Sequence, residues 1–186
     1  IAAHPDEPDR VLVGTVEDGV HRSRDGGDSW ERVGQRTIHD HVTALASDPS
    51  DPGTFYAGTE PSRVYVTTDG GEAWHHLDGL TALPSASSWA FPPRPSTHHV
   101  RWIEVSPADP DQLYVAIEAG ALVRSFDGGE TWVDRVPGGR RDTHTMATHP
   151  GVPDRAWTAA GDGFAVTDDG GETWQYPQNR HDHRYC

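Results

Sequence analysis

Histidines and carboxylates recur at matched places in this sequence. His39-Asp40-His41, His98-His99 and Asp142-Thr143-His144 each lead into a short apolar run, and His181-Asp182-His183 repeats the pattern near the end. His41 and His99 lie eight residues before Pro49 and Pro107, and His144 lies six before Pro150. Both offsets are even, so in an unbroken strand the three imidazoles face one side. Arg101 and Thr43 share the offset of His144. A second set, Glu17, Glu60, Glu118 and Asp162, occupies nearly equivalent places after the next run.

Three kinds of chemistry fit these residues. Imidazoles from separate segments, meeting with carboxylates nearby, suit Zn²⁺, Mn²⁺ or Fe²⁺. His41, His99, His144 and His183 are the expected ligands of such a divalent metal. No local ligand spacing supports them, and the same rings could simply hydrogen-bond one another and water. Alternatively, two carboxylates about 5 to 9 Å apart could hydrolyse a glycoside, one as acid and one as base or nucleophile. Glu60 and Glu118 with Arg101 lead that reading, with Glu17 and Asp162 behind them and Trp89 or Trp102 as a sugar platform. The third reading is binding without catalysis. His41, His99, Arg101, His144, Trp89 and Trp102 would then hold a carbohydrate or protein ligand, and no cofactor is needed.

What positions these residues is a repeat. Four segments match: SRDGGDSW ending at Trp30, TTDGGEAW at Trp74, SFDGGETW at Trp132 and TDDGGETW at Trp174. Each follows a proline-rich turn (HPDEPDR, DPSDPGT, SPADPDQ, HPGVPDR), with 25 residues from first proline to tryptophan in three copies and 24 in the fourth. The tryptophans are 44, 58 and 42 residues apart, so one copy carries an insertion. Each unit holds four short β-rich runs joined by turn residues, as a propeller blade does. This Gly and Pro density, without an i, i+3, i+4 pattern, argues against helical repeats. The expected blades are residues 1–36, 37–80, 98–138 and 142–178, with an insertion loop at 75–97.

The DGG turn needs glycine for positive φ, and its aspartate can accept hydrogen bonds from the turn's own amides. A Ser or Thr two residues earlier can brace it. The tryptophan is expected to bury its ring between blades, worth about 2 to 3 kcal/mol.

The repeated Ser/Thr-x-Asp-x-Gly-x-Thr-Trp pattern resembles the Asp-box, or BNR repeat, of sialidase-like and sortilin-like β-propellers. That superfamily includes sialidases, xyloglucan-active glycoside hydrolases, sortilin-type receptors and photosystem II assembly-factor propellers. The resemblance implies an all-β propeller fold, an arc or part of a ring of six or more blades. It implies structural roles for Asp25, Trp30, Asp69, Trp74, Asp127, Trp132, Asp169 and Trp174, on the face away from the acting one. The acting face would carry the histidine set, the carboxylate set and the insertion, whose Trp89, Phe91 and four prolines read as a partly rigid lid. A sialidase also needs three arginines, a Tyr–Glu pair and an Arg-Ile-Pro motif. Only Arg101 is placed for that role. In a closed ring His183-Arg184-Tyr185-Cys186 would pair in the first blade; in an open arc the terminal blades would expose apolar side chains.

Composition excludes several classes. The chain has 186 residues and a net charge of −14, and all its 15 basic residues are arginine. So acidic a surface does not suit nucleic acid, and it favours solubility or a salt-rich setting. The single cysteine, Cys186, allows no internal disulfide. No apolar run approaches the roughly 18 residues that span a bilayer, and no secretory signal opens the chain, which favours the cytoplasm.

Overall fold

The computed structural model describes residues 1–161 and 163–177 as four antiparallel sheets, all-β apart from two short 3₁₀ turns. Sheet one is β1 (Ala2–His4), β2 (Glu7–Gly14), β3 (Val20–Ser23) and β4 (Glu31–Val33), paired in that order. Sheet two repeats it with β5 (Val42–Ser47), β6 (Phe55–Thr59), β7 (Val64–Thr67) and β8 (His75–Leu77). Sheet three is β9 (Val100–Val105), β10 (Leu113–Ile117) and β11 (Ala121–Ser125). Sheet four is β12 (Thr143–His149), β13 (Val152–Ala160) and β14 (Gly163–Thr167). In these two the fourth strand shrinks to one bridge, Arg124 with Val133 and Val166 with Gln175. The first strands β1, β5, β9 and β12 are neighbours in chain order, so the described residues form an arc of stacked sheets.

Stacking buries both faces of the inner sheets, and alternation then feeds two cores from one strand. On β6, Phe55 and Ala57 face sheet one with Leu12, Val20 and Val33, while Tyr56 faces sheet three with Ile103 and Val115. On β10, Leu113, Val115 and Ile117 face sheet two, and Tyr114 and Ala116 face Met146 and Ala156 of sheet four. This is why β6, β10 and β11 are buried at every residue. Two glycines permit close approach between inner strands. A Cβ at Gly58 would lie 2.4 Å from Val100 Cγ1, and one at Gly14 would lie 2.5 Å from Val42 Cγ1.

The four DGG turns share one hydrogen-bond pattern. Asp127 accepts from the Ser125 hydroxyl (2.7 Å), the Thr131 amide (2.8 Å) and the Thr131 hydroxyl (2.5 Å). The Ser125 oxygen in turn accepts from the Gly129 amide at 2.8 Å. Asp25 and Asp169 repeat this with Ser29 and Thr173. Asp69, followed by Ala73, keeps only the amide bonds and Thr67. Gly128 and Gly129, at φ 68 and 94, turn the chain as no β-carbon residue readily would.

The tryptophans depart from expectation. Trp74 is buried (4% exposed), packed with Val33, Ile38 and Phe55. Trp132 is half-buried and donates its ring N–H to the Asp78 carbonyl of the preceding unit, 3.1 Å away. Trp174 is half-buried too, but Trp30 is 44% exposed. Each ring packs on the sheet before its own, and none precedes sheet one among the described residues. Within sheet four, Trp157, Phe164 and Val166 are likewise only partly covered. His183-Arg184-Tyr185-Cys186 lies outside the described residues.

Two buried arginines, unremarked in the sequence, tie sheets together. Arg22 Nη1 donates to the Gly70 carbonyl (2.7 Å), and Arg124 Nη1 to the Gly170 carbonyl (2.8 Å). Both precede the DGG-turn Ser, and each reaches the DGG turn of the next sheet. The signal was present, since the residue before that Ser is Arg in copies one and three but Val66 and Val166 stand at the matching place in the others.

Gly58→Ala should destabilise the fold by about 1 to 3 kcal/mol by overpacking Val100. Combined with Val100→Ala, it should cost less than the sum of the two, as read from chemical denaturation midpoints. A second expectation concerns acid. Hydrogen bonds from Ser29 and Thr173, the hydroxyls first, hold Asp25 and Asp169 down from 3.8 to about 2. A lowered folded value means stabilisation that is complete above about pH 4 and is lost as pH falls toward 2. Thermal melts should drop across that window, and Asp169→Asn should lower the neutral-pH melt while flattening the drop.

Candidate functional site

The site lies at the end of the arc where β5, β9 and β12 begin. All three strands carry a β-bulge at the same place. Val42 pairs with Thr59 and Ala44 with Gly58, skipping Thr43. Val100 pairs with Ile117 and Trp102 with Ala116, skipping Arg101. Thr143 pairs with Ala160 and Thr145 with Ala159, skipping His144. A bulge inserts an unpaired residue and re-aims it. The three skipped side chains line one cleft of about 400 Å³, with Ile1, Ala44, Leu45, Ile103 and Trp102.

The bulge also corrects the offset argument. His144 is the counterpart of Thr43 and Arg101, not of His41 and His99. The counterpart of those two is Asp142: the amides of Glu60, Glu118 and Gly161 donate to the carbonyls of His41, His99 and Asp142 respectively. Even offsets imply one face only in an unbroken strand.

Beside the cleft, carboxylates and imidazoles alternate across sheets two, three and four. Glu60, 6% exposed, accepts from Arg94 Nη2 at 2.6 Å. His41 Nε2 and His99 Nδ1 lie 3.6 and 3.8 Å from the same oxygen. His99 Nε2 lies 2.9 Å from Glu118 Oε2, and Arg101 Nε lies 3.6 Å from that oxygen. His144 Nε2 lies 3.4 Å from Asp142 Oδ1, which also accepts from the Ala119 amide at 3.1 Å. One donor atom each of Glu118, Asp142 and His144 lie within 4.8 Å of one another, close enough to hold a metal ion. Burial lowers the His98 value, which favours its neutral ring.

The expected residues therefore separate. His99 and Glu118 meet directly. His41 reaches Glu60 alone, and His144 joins Asp142, a residue not proposed from the sequence as a ligand. Glu17 is exposed in the β2–β3 turn. Asp162 and His183 lie outside the described residues. Trp102 is 37% exposed in the cleft, its N–H donating to Glu104 Oε2 at 3.2 Å.

Trp89 is corrected outright. It is 5% exposed, bonded through its N–H to Ser85 Oγ (2.9 Å) and packed in the core shared by sheets two and three. A buried ring cannot serve as a sugar platform. The insertion containing it is likewise only partly a lid. The 3₁₀ turns Leu80–Ala82 and Pro84–Ser88 seat Leu80 and Trp89 in that core, and Asp134 holds Ser85 through two bonds of 2.8 and 2.5 Å. Only the tip stands over the charged row, through Arg94 on Glu60 and the Phe91 ring edge-on to His99 at 4.9 Å. The four prolines suggested a partly rigid lid, and burial shows which half is anchored.

A family model described as BNR/Asp-box repeat matches residues 165–176. No curated protein matches the chain. Among solved structures, an ancestral GH74 enzyme superposes with TM-score 0.74 at 17% identity, over 97% of this chain and 24% of its own. A GH74 xyloglucanase from Xanthomonas campestris gives TM-score 0.65 at 18% identity, over 97% and 31%. YCF48 bound to D1 peptide gives 0.51 at 17%, over 95% and 80%. At such identities the likeness is one of fold, and the chain spans about a quarter to a third of the GH74 structures' length. The fold and the repeat define a β-propeller of BNR/Asp-box blades. No described helix is long and apolar enough to cross a membrane.

Glu60→Gln removes the charge that Arg94 pairs with. Amide hydrogen exchange in residues 91–97 should then rise several-fold, while residues 80–89 keep their protection. Equal acceleration in both segments would show that the insertion moves as one piece.

Proposed function

We propose that the chain is the ligand-binding portion of a BNR-repeat propeller, taking a protein or carbohydrate ligand in the cleft where Thr43, Arg101 and His144 converge. The observation that carries this reading is the cleft's lining. An exposed indole, a guanidinium and an imidazole stand side by side on bulged strands, with aliphatic walls from Ala44, Leu45 and Ile103. A flat ring can stack on Trp102 while Arg101 and His144 meet polar groups.

Glycoside hydrolysis is the second reading, favoured by the xyloglucanase among the similar folds. Binding is preferred because, among the described residues, no carboxylate lines this cleft. Glu60 is buried on Arg94, and Glu118 faces His99 with Arg101 nearby. Hydrolysis would need two carboxylates flanking a sugar, one of them free to carry a proton. The peptide-bound YCF48 structure supports a protein ligand equally.

Titration calorimetry against xyloglucan oligosaccharides and a peptide panel tests this. Binding by either class, weakened about tenfold by Trp102→Ala with an unchanged melting temperature, is expected. Release of reducing sugar, abolished by Glu118→Gln, would replace the binding reading with the hydrolytic one.

A further inference from the structure

We infer that Glu118, Asp142 and His144 form a binding site for a divalent transition-metal ion, of which Zn²⁺ is the probe. The site borders the cleft through His144 but does not depend on what the cleft binds.

The first argument is distance. Ligand atoms about 2.0 to 2.2 Å from one ion are at most about 4.4 Å apart. The three donors already lie within 4.8 Å of one another, on side chains 20 to 37% exposed that can adjust. The second is donor type. One imidazole with two carboxylates suits Zn²⁺ or Mn²⁺, whereas Ca²⁺ and Mg²⁺ take oxygen alone.

The third argument is charge. Two carboxylates this close repel unless a cation sits between or beside them. Glu60, at the equivalent turn of sheet two, has its cation in contact, Arg94 at 2.6 Å. Among the described residues Glu118 meets His99 at 2.9 Å and has Arg101 as its arginine partner at a longer 3.6 Å, and Asp142 has no arginine ion pair. An ion on both carboxylates removes the repulsion and leaves Arg101 free to turn into the cleft.

The fourth is support. Metal-binding carboxylates and imidazoles are held by a second layer of hydrogen bonds. His99, 8% exposed, aims Nε2 at Glu118, while its Nδ1 turns to Glu60, 3.8 Å away. The Ala119 amide fixes Asp142 Oδ1 at 3.1 Å. The bulge on β12 turns His144 toward both. The fold itself does not demand this set. At the matching positions the chain entering and opening β5 has His41 and Thr43, and that of β9 has His99 and Arg101.

The test uses the untagged chain, stripped with chelator and titrated with ZnCl₂ by calorimetry, then with MnCl₂ in competition. One equivalent of Zn²⁺ is expected. His144→Ala and Asp142→Asn should each weaken it at least tenfold, and His41→Ala should leave it unchanged. Circular dichroism melts check the fold, and the isosteric Glu118→Gln stands in for any variant that does not fold. No saturable binding would overturn the assignment. So would binding that survives both substitutions, or that follows His41 instead.

Discussion

Neighbouring sheets meet closely along their inner strands, and the rest of the molecule follows from that approach. Gly58 lets β6 come against Val100 of β9, and Gly14 lets β2 come against Val42 of β5. The gaps left are too small even for a methyl group. With the sheets this close, the turn leaving one inner pair lands on the strand entering the next. That is how Glu60 of sheet two comes within 3.8 Å of His99 of sheet three. The charged row is thus a consequence of packing, not of local sequence. At the opposite end the same closeness lets Arg22 and Arg124 reach the DGG turns of the following sheets.

The bulges convert this stack into a site. A regular strand would bury or expose Thr43, Arg101 and His144 in strict alternation with their neighbours. One unpaired residue per strand breaks the alternation at the same height in three sheets, and the three side chains share a cleft. Thr43 also spans two sheets, its hydroxyl donating to the Val100 carbonyl at 2.6 Å. The repeated backbone supplies position, and substitution at the bulge supplies chemistry: hydroxyl, guanidinium, imidazole.

Neutralisation differs along the row for an equally local reason. The insertion follows sheet two, so its Arg94 reaches Glu60, and among the described residues no comparable arm serves Glu118. Its anchored half contributes Leu80 and Trp89 to the core, so the tip is delivered from a fixed base. Glu60 is thereby held by an arginine, whereas Glu118 meets His99 and Asp142 meets His144.

The sequence by itself determined the repeat, the strand order within each unit, and the DGG turns with their aspartate and hydroxyl braces. These are local: periodicity, positive φ at glycine and hydrogen bonds within four residues. Tertiary structure alone decided that Trp30 is exposed while Trp74 is buried, because that depends on the sheet standing in front of each. It decided that Trp89 is core, that Arg94 claims Glu60, and that Glu118 meets Asp142 and His144. Bulges carry no signature in composition or spacing, and the contacts that bring Arg94 and His99 to Glu60 link residues 34 and 39 positions apart. Such choices are made when sheets stack, where burial and charge compensation are settled between segments and not within them.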